Sequence, residues 1–368
     1  MRFEVTQVLD VIERHLTTES SLAQAVVDLG HVAWYGALDG GRPVSLLRAG
    51  LLIDALSRHL GEDAVMVYPV TSRELLTDAD LTSKERMVLG RWSGDGVIEV
   101  VPFMGDRVPE VADITGLPVV TIDGFPGLER RYPWLRGVPE RVLHLVPAEG
   151  GARIIGGQPL PAVEGRAALL GRVWTCVRRD CPLFGDRRGH AQAVPRMRAG
   201  VPVCPRHDEP LTNAGPRPPS LTMVLIVDGA VRERFVVRTG RPVVVGRAPD
   251  DPTGIAIGGF LDGPVAQMVS RNHVRLELLD DGCYAADLST NGTLVHKTGA
   301  AAGGYGPYGS AQQVHLKGGA PHLLGPGDTL ELHTGVVLAR ADRIPAGLLG
   351  GQGSVMGDAP TMTIRPQL

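Results

Sequence analysis

Three of the four cysteines in this chain stand near a histidine at spacings that suit a metal ion. Cys176-x4-Cys181 and Cys204-x2-His207 form two close pairs separated by a 22-residue spacer. Zn²⁺ takes thiolate and imidazole ligands at tetrahedral corners, and a short spacing lets one turn supply two of them. Such a Cys3His set leaves no open position for water, so the expected role is structural, in a small zinc-ribbon-like module. The ion would supply folding energy to a segment poor in large apolar residues. The first pair has four intervening residues where two are commoner, and His190 is a reserve ligand. Cys283, far from the others, reads as a small apolar residue in a strand.

A second set of residues lies in the last third of the chain. Gly246-Arg247, Ser270-Arg271-Asn272-His273, Ser289-Thr290-Asn291-Gly292-Thr293 and Gly327-Asp328 follow one another, each at the edge of a strand-like run. Any one of them is weak, since Asn-Gly by itself is only a good turn. In this order, within a β-rich segment, they resemble the ligand-reading loops of a forkhead-associated (FHA) domain, over roughly residues 221–343. The resemblance implies an all-β sandwich that binds phosphothreonine. Phosphothreonine carries about −1.5 to −2 charge and three acceptor oxygens, and arginine can meet it with a planar fork that lysine lacks.

Carried over residue by residue, the resemblance places Arg247 and Ser270 on the phosphate, with Arg271 assisting. Thr290 would line the site and Asn291 would hold the peptide main chain. Gly246, His273 and Gly292 would be structural, His273 by bracing its loop through hydrogen bonds. The implied partners are a phosphothreonine-containing protein or peptide and the Ser/Thr kinase that makes it. Two departures stand out. The spacer 248–269 is longer than the family leads one to expect, and 296–322 is a glycine-rich insertion, read as a loop. The tail offers Thr361 and Thr363 as candidate phosphorylation sites that the domain could bind in cis or in trans.

The elements that position these residues define a multidomain chain: an N-terminal α+β domain (1–150), the zinc-ribbon-like module (151–208), a proline-rich linker (209–220), the FHA sandwich (221–343) and a flexible tail (344–368). Helical spacing marks Val5–His15, a segment from Ser20 to Leu29, and a helix entered at Pro43. Thr82 and Glu85 form a capping-box pair for a helix through Trp92. Strand-like runs fall at 64–70, 97–101, 117–122 and 141–146. Two helices and a strand after Asp95-Gly96 loosely suggest a winged helix. Pro210, Pro216, Pro218 and Pro219 favour an extended linker.

Charge is uneven. Residues 1–150 carry 14 basic and 22 acidic side chains, whereas 151–218 carry 11 and 5. An acidic first region argues against nucleic acid, which needs a basic face. The arginines of 151–218 lack interleaved aromatics and read as a solvated surface. No apolar run approaches the ~18 residues of a membrane span. Glu4, Asp10 and Glu13 break the apolar pattern at the start, so the expectation is a cytoplasmic protein without a secretory leader. The excess of Arg over Lys, with abundant Gly, Ala and Pro, suggests a GC-rich bacterial genome. Phosphate-loop, zincin and nucleophile-elbow motifs are all missing, so the expected class is a non-enzymatic adaptor. A phosphorylation-tuned transcriptional regulator and an enzyme of unrecognised N-terminal fold remain the alternatives.

Overall fold

The computed structural model describes residues 4–157, 167–186, 193–298, 312–345 and 347–349. The chain forms two compact units that divide after Arg217, with residues 62–64 belonging to the second.

The first unit is built on a six-stranded sheet of β1 (Ala25–Asp28), β2 (Val67–Ser72), β3 (Glu99–Val101), β4 (Val119–Thr121), β5 (Val142–Ala148) and β6 (Gly151–Ile155), in the spatial order 3-2-1-4-5-6. β1 to β5 are all parallel, and β6 turns back antiparallel on β5. Parallel neighbours need crossovers, so both faces of the sheet are covered and its strands read as unbroken apolar runs. The wholly buried β2 and the Ala-Val-Val of β1 fit that rule.

The helices are α1 (Glu4–Glu13), α2 (Leu29–Trp34), α3 (Arg48–Leu60), α4 (Arg73–Thr77), α5 (Ser83–Asp95), α6 (Arg107–Thr115) and α7 (Trp134–Gly137). Successive strand residues face opposite ways. Ala25, Val27 and Val120 accordingly join Leu9, Leu52, Leu56 and Trp92 in one core. Val26 and Val119 join Val108, Val111 and Ile114 in the other.

This architecture corrects the α+β and winged-helix readings of the N-terminal region. Strand and helix alternate along the chain, which produces a doubly wound parallel sheet. The segment read as a helix from Ser20 to Leu29 is instead a turn followed by β1, with α2 beginning at Leu29. A four-residue strand buried on both faces shows no alternation to separate it from a helical turn. The expected capping box is present on α5: the Thr82 hydroxyl accepts from the Glu85 amide, the Glu85 carboxylate accepts from the Thr82 amide, and the helix closes at Gly96 with φ 68°.

Beyond β6 come α8 (Ala167–Leu170), an antiparallel pair of β7 (Arg172–Thr175) with β10 (Thr212–Pro216), and between them a hairpin of β8 (Arg196–Arg198) with β9 (Val201–Val203). The stretch read as a linker therefore contributes an edge strand. Proline is tolerated there because an edge strand has an amide side facing solvent. A buried ionic cluster ties this segment to the sheet. The Arg107 guanidinium donates to Glu99 at 2.5 Å, to Glu110 at 3.0 Å and to the Pro195 carbonyl at 3.2 Å. The Met197 amide completes the link to Glu110 at 2.7 Å. Removing one member of such a buried set costs about 3–5 kcal/mol, because its partner is left charged and unpaired.

The second unit is two packed β-sheets. One contains β11 (Ser220–Val227), β12 (Ala230–Arg238), β17 (Thr293–Lys297), β18 (Gln312–Leu316), β20 (Thr329–His333) and β21 (Val336–Arg340). The other contains β13 (Val243–Gly246), β14 (Ile255–Ala256), β15 (Val274–Leu279), β16 (Gly282–Asp287) and β19 (His322–Leu324). Alternate residues of both sheets, among them Leu225, Val237, Val245, Leu276, Val295 and Leu338, fill one core between them. The long spacer 248–269 is ordered: it holds β14, a 3-10 turn at Gly258–Phe260 and α9 (Gly263–Met268). The insertion read as a loop ends in structure, since β18 pairs with β17 and β19 with β16. Its middle, residues 299–311, lies outside the described residues, as do Thr361 and Thr363.

Candidate functional site

The loops expected to read phosphate converge at one end of the second unit. Gly246 ends β13, where the next loop passes very close. A Cβ at Gly246 would lie 2.1 Å from the Arg271 carbonyl oxygen and 2.9 Å from the His273 amide. Only glycine allows that approach. The contact lets the Arg247 amide donate to the Ser270 carbonyl at 2.9 Å and the His273 amide to the Val245 carbonyl at 2.9 Å. Arg247 is thereby pinned by its backbone, and among the described residues its guanidinium has no ion-pair partner.

His273 is fully buried. Its Nδ1 accepts from the Ser270 amide at 3.1 Å, and its carbonyl accepts from the Leu288 amide at 2.8 Å. Burial lowers its pKa below the usual imidazole value, with Asp287 partly opposing. A neutral ring is what an accepting Nδ1 needs. Its Nε2 is buried and faces the Gly292 backbone, which also opposes the lowering.

Ser270 joins the remaining loop, since its Oγ accepts from the Thr290 amide at 3.2 Å. Asn291 reaches across to donate from Nδ2 to the Met268 carbonyl at 3.0 Å. Thr290 and Asn291 are exposed. Gly292 turns the chain with φ 89°. Arg271 is exposed and donates to Asp250 at 2.6 Å, and Asn272 donates to the same carboxylate at 2.7 Å.

Asp287 organises this last loop, and sequence reasoning missed it. It is buried, and one of its carboxylate oxygens accepts from the Ser289 hydroxyl at 2.7 Å and the Thr293 hydroxyl at 2.7 Å. Ser289 Oγ in turn accepts from the Gly292 amide at 2.8 Å. The run Asp-x-Ser just before Asn-Gly was the available signal, because such side chains close local turns. Asp328, also buried, closes the Gly325–Asp328 turn by accepting from the Gly325 amide at 2.8 Å.

The geometry suits an anion. A hydroxyl and a guanidinium whose backbone is held by hydrogen bonds sit on loops at strand ends, where recognition residues are commonly carried.

The cysteine–histidine set lies in the first unit. Cys176, Cys181, Cys204 and His207 come together with all their ligand atoms within 4.8 Å of one another. Ligands about 2.3 Å (S) and 2.0–2.1 Å (N) from a tetrahedral Zn²⁺ would stand about 3.8 Å apart sulfur to sulfur and about 3.5 Å sulfur to nitrogen. The observed separations are 3.8 Å for Cys181–Cys204, 3.4 Å for Cys176–His207 Nδ1 and 3.5 Å for Cys204–His207 Nδ1. All four cysteines of the chain are free thiols. The first knuckle is tight enough to exclude a side chain at Gly185, whose Cβ would lie 2.3 Å from the Arg179 carbonyl. A hydrogen bond from Cys204 holds the Cys181 thiol below the usual thiol value and raises Cys204 in turn, so the pair shares one thiolate more readily than two. The reserve ligand His190 lies outside the described residues.

No family model matches the sequence, and no curated protein matches it. Among solved structures, the FHA domain of human APLF in complex with an XRCC1 bisphospho peptide is 20% identical, with 32% of this chain and 96% of that one covered at a TM-score of 0.23. The FHA domain of an Arabidopsis thaliana hypothetical protein is 22% identical, covering 37% and 92% at 0.25. The FHA domain of CT664 from Chlamydia trachomatis is 18% identical, covering 34% and 100% at 0.22. Each match involves about a third of this chain.

Proposed function

We propose that the second unit is an FHA domain that binds phosphothreonine peptides, and that the protein is a phosphorylation-dependent adaptor in Ser/Thr kinase signalling. The observation that carries the reading is the convergence of three loops on Ser270, beside an Arg247 held by its backbone and free of acidic partners among the described residues. In this reading Arg247 and Ser270 take the phosphate oxygens, Asn291 and Thr290 meet the peptide, and Arg271 exchanges Asp250 for the ligand. The protein acts by binding and not by catalysis. The doubly wound first unit disfavours the DNA-binding alternative, which rested on a winged helix.

The second part of the proposal is that Cys176, Cys181, Cys204 and His207 hold a structural Zn²⁺, supported by the tetrahedral separations. No helix among the described residues is long and apolar enough to cross a membrane.

The deciding experiment is fluorescence anisotropy with a degenerate phosphothreonine peptide library against the full chain. Binding is expected to vanish when the peptide is dephosphorylated and to fall at least about a hundredfold, some 2.7 kcal/mol, in Arg247→Ala. Unchanged affinity in that variant would remove the assignment.

A further inference from the structure

The first unit has a feature that phosphopeptide reading leaves unused. In open parallel sheets, ligands bind outside the carboxyl ends of the strands where the strand order reverses. Here the reversal lies between β1 and β4: from β1 the chain proceeds to β2 on one side, and from β4 to β5 on the other. A cavity of about 250 Å³ opens at that point, just below the ~300–1,000 Å³ usual for ligand pockets. It is lined by Asp28 from the end of β1, His31 and Val32 from the first turns of α2, Val108 of α6 and Thr121 from the end of β4.

The lining chooses the ligand class. Asp28, His31 and Thr121 are its polar side chains, and all the others are apolar or glycine. Among the described residues no lysine or arginine lines it, so a phosphate would meet the Asp28 carboxylate without one to neutralise it. Asp28 is mostly desolvated, which raises its pKa, and one of its oxygens accepts from the His31 amide at 2.9 Å. At the rim, His31 Nε2 lies 3.2 Å from Asp123. Thr121 Oγ1 accepts from the Gly124 amide at 3.0 Å and donates to the Gly124 carbonyl at 3.4 Å, which leaves one lone pair of the hydroxyl oxygen to accept from a donor head. The apolar wall is supplied by residues that include buried Val32, Val108, Val120 and Leu145. A positively charged head with a short apolar body satisfies both walls, since a cation beside a desolvated carboxylate removes the cost of its burial.

We infer that the crevice between the carboxyl ends of β1 and β4 binds a small organic ammonium ligand, with its charged head at Asp28 and its body against Val32, Val108 and Leu145. The site belongs to the first unit and stands apart from the phosphothreonine reading.

The test is saturation-transfer NMR and calorimetry on the full chain with phenethylamine as the probe. The matched carboxylate 3-phenylpropionate, Mg²⁺ alone and adenosine monophosphate form the other arms. Millimolar binding of phenethylamine with no binding of the carboxylate is expected, falling at least about tenfold in Asp28→Asn. Because Asp28 also caps α2, Thr121→Val serves as a second variant, with a weaker but measurable loss. Failure of phenethylamine to bind, or equal binding of the two probes, would overturn the inference. Binding of Mg²⁺ or the nucleotide in place of the amine would overturn the ammonium assignment.

Discussion

The Gly246 α-carbon lies so close to the Arg271 backbone that a methyl group there would sit 2.1 Å from the Arg271 carbonyl oxygen. The obstruction is main chain, so no rotamer change relieves it. Gly246→Ala is expected to destabilise the second unit by about 1–3 kcal/mol, as overpacking does. It should also weaken phosphopeptide binding, because the displaced strand end carries Arg247. Differential scanning calorimetry of the full chain checks the first effect as a lowered transition for that unit alone, and peptide titration of the folded variant checks the second.

Asp287 gives a separate handle on the site. Its buried oxygen holds Ser289 and Thr293, and through Ser289 the turn that presents Thr290 and Asn291. Asp287→Ala strands the Thr293 hydroxyl in the interior, costing about 1–3 kcal/mol where it finds no other partner, and releases the half-buried Ser289 hydroxyl that holds the turn. Asp287→Asn keeps one acceptor oxygen and should lie between. Peptide affinity should follow the order wild type, Asn, Ala, although residue 287 itself makes no proposed ligand contact. Equal affinity in all three folded proteins would show that the turn does not depend on this carboxylate.

Parts of this arrangement were legible in the sequence, and the reasons differ by residue. Thr82 and Glu85 were readable because a capping box is local, needing only two side chains three positions apart. Cys176, Cys181, Cys204 and His207 were readable because ligand chemistry restricts residue type and spacing. β1 was not readable, since a four-residue strand with three buried residues in a row carries no period. The parallel order of the first sheet was hidden for a related reason: strand order is a property of crossovers, not of any single segment. Asp287 was overlooked because a buried acid at a strand end looks like an ordinary turn residue until its donors are seen in three dimensions.

His273 predicts a pH dependence. Its folded pKa is lowered from 6.5 by burial, so the unfolded chain binds the proton more readily. Stability then rises with pH through the window between the lowered folded value and 6.5, and is level above it. As pH falls through 6.5, the melting temperature of the second unit should decline. The imidazole should remain neutral in the folded protein across that range by NMR. His273→Asn offers an accepting oxygen in place of Nδ1 without a titrating ring, and should flatten this part of the profile. A His273 that titrates at 6.5 in the native state would contradict the argument.

Metal removal should act on the first unit alone. The Cys3His cluster sits in a segment with a small core of its own, in which Leu183, Phe184 and Leu211 pack beside the cysteines. Protein purified without chelator is expected to carry one Zn²⁺ per chain by elemental analysis. Cys204→Ser should lose it, since that sulfur lies beside both Cys181 and His207. Thiolates and a neutral imidazole are required for binding, so acid should release the metal as protons compete. A strong chelator should lower the melting transition of the first unit, while phosphopeptide affinity in the second stays within about twofold, as expected for sites that share no partners. The buried link from Arg107 to Glu110 and the Pro195 carbonyl makes the first effect reach past the cluster, because loosening residues 193–198 exposes an ionic set that is stable only when complete.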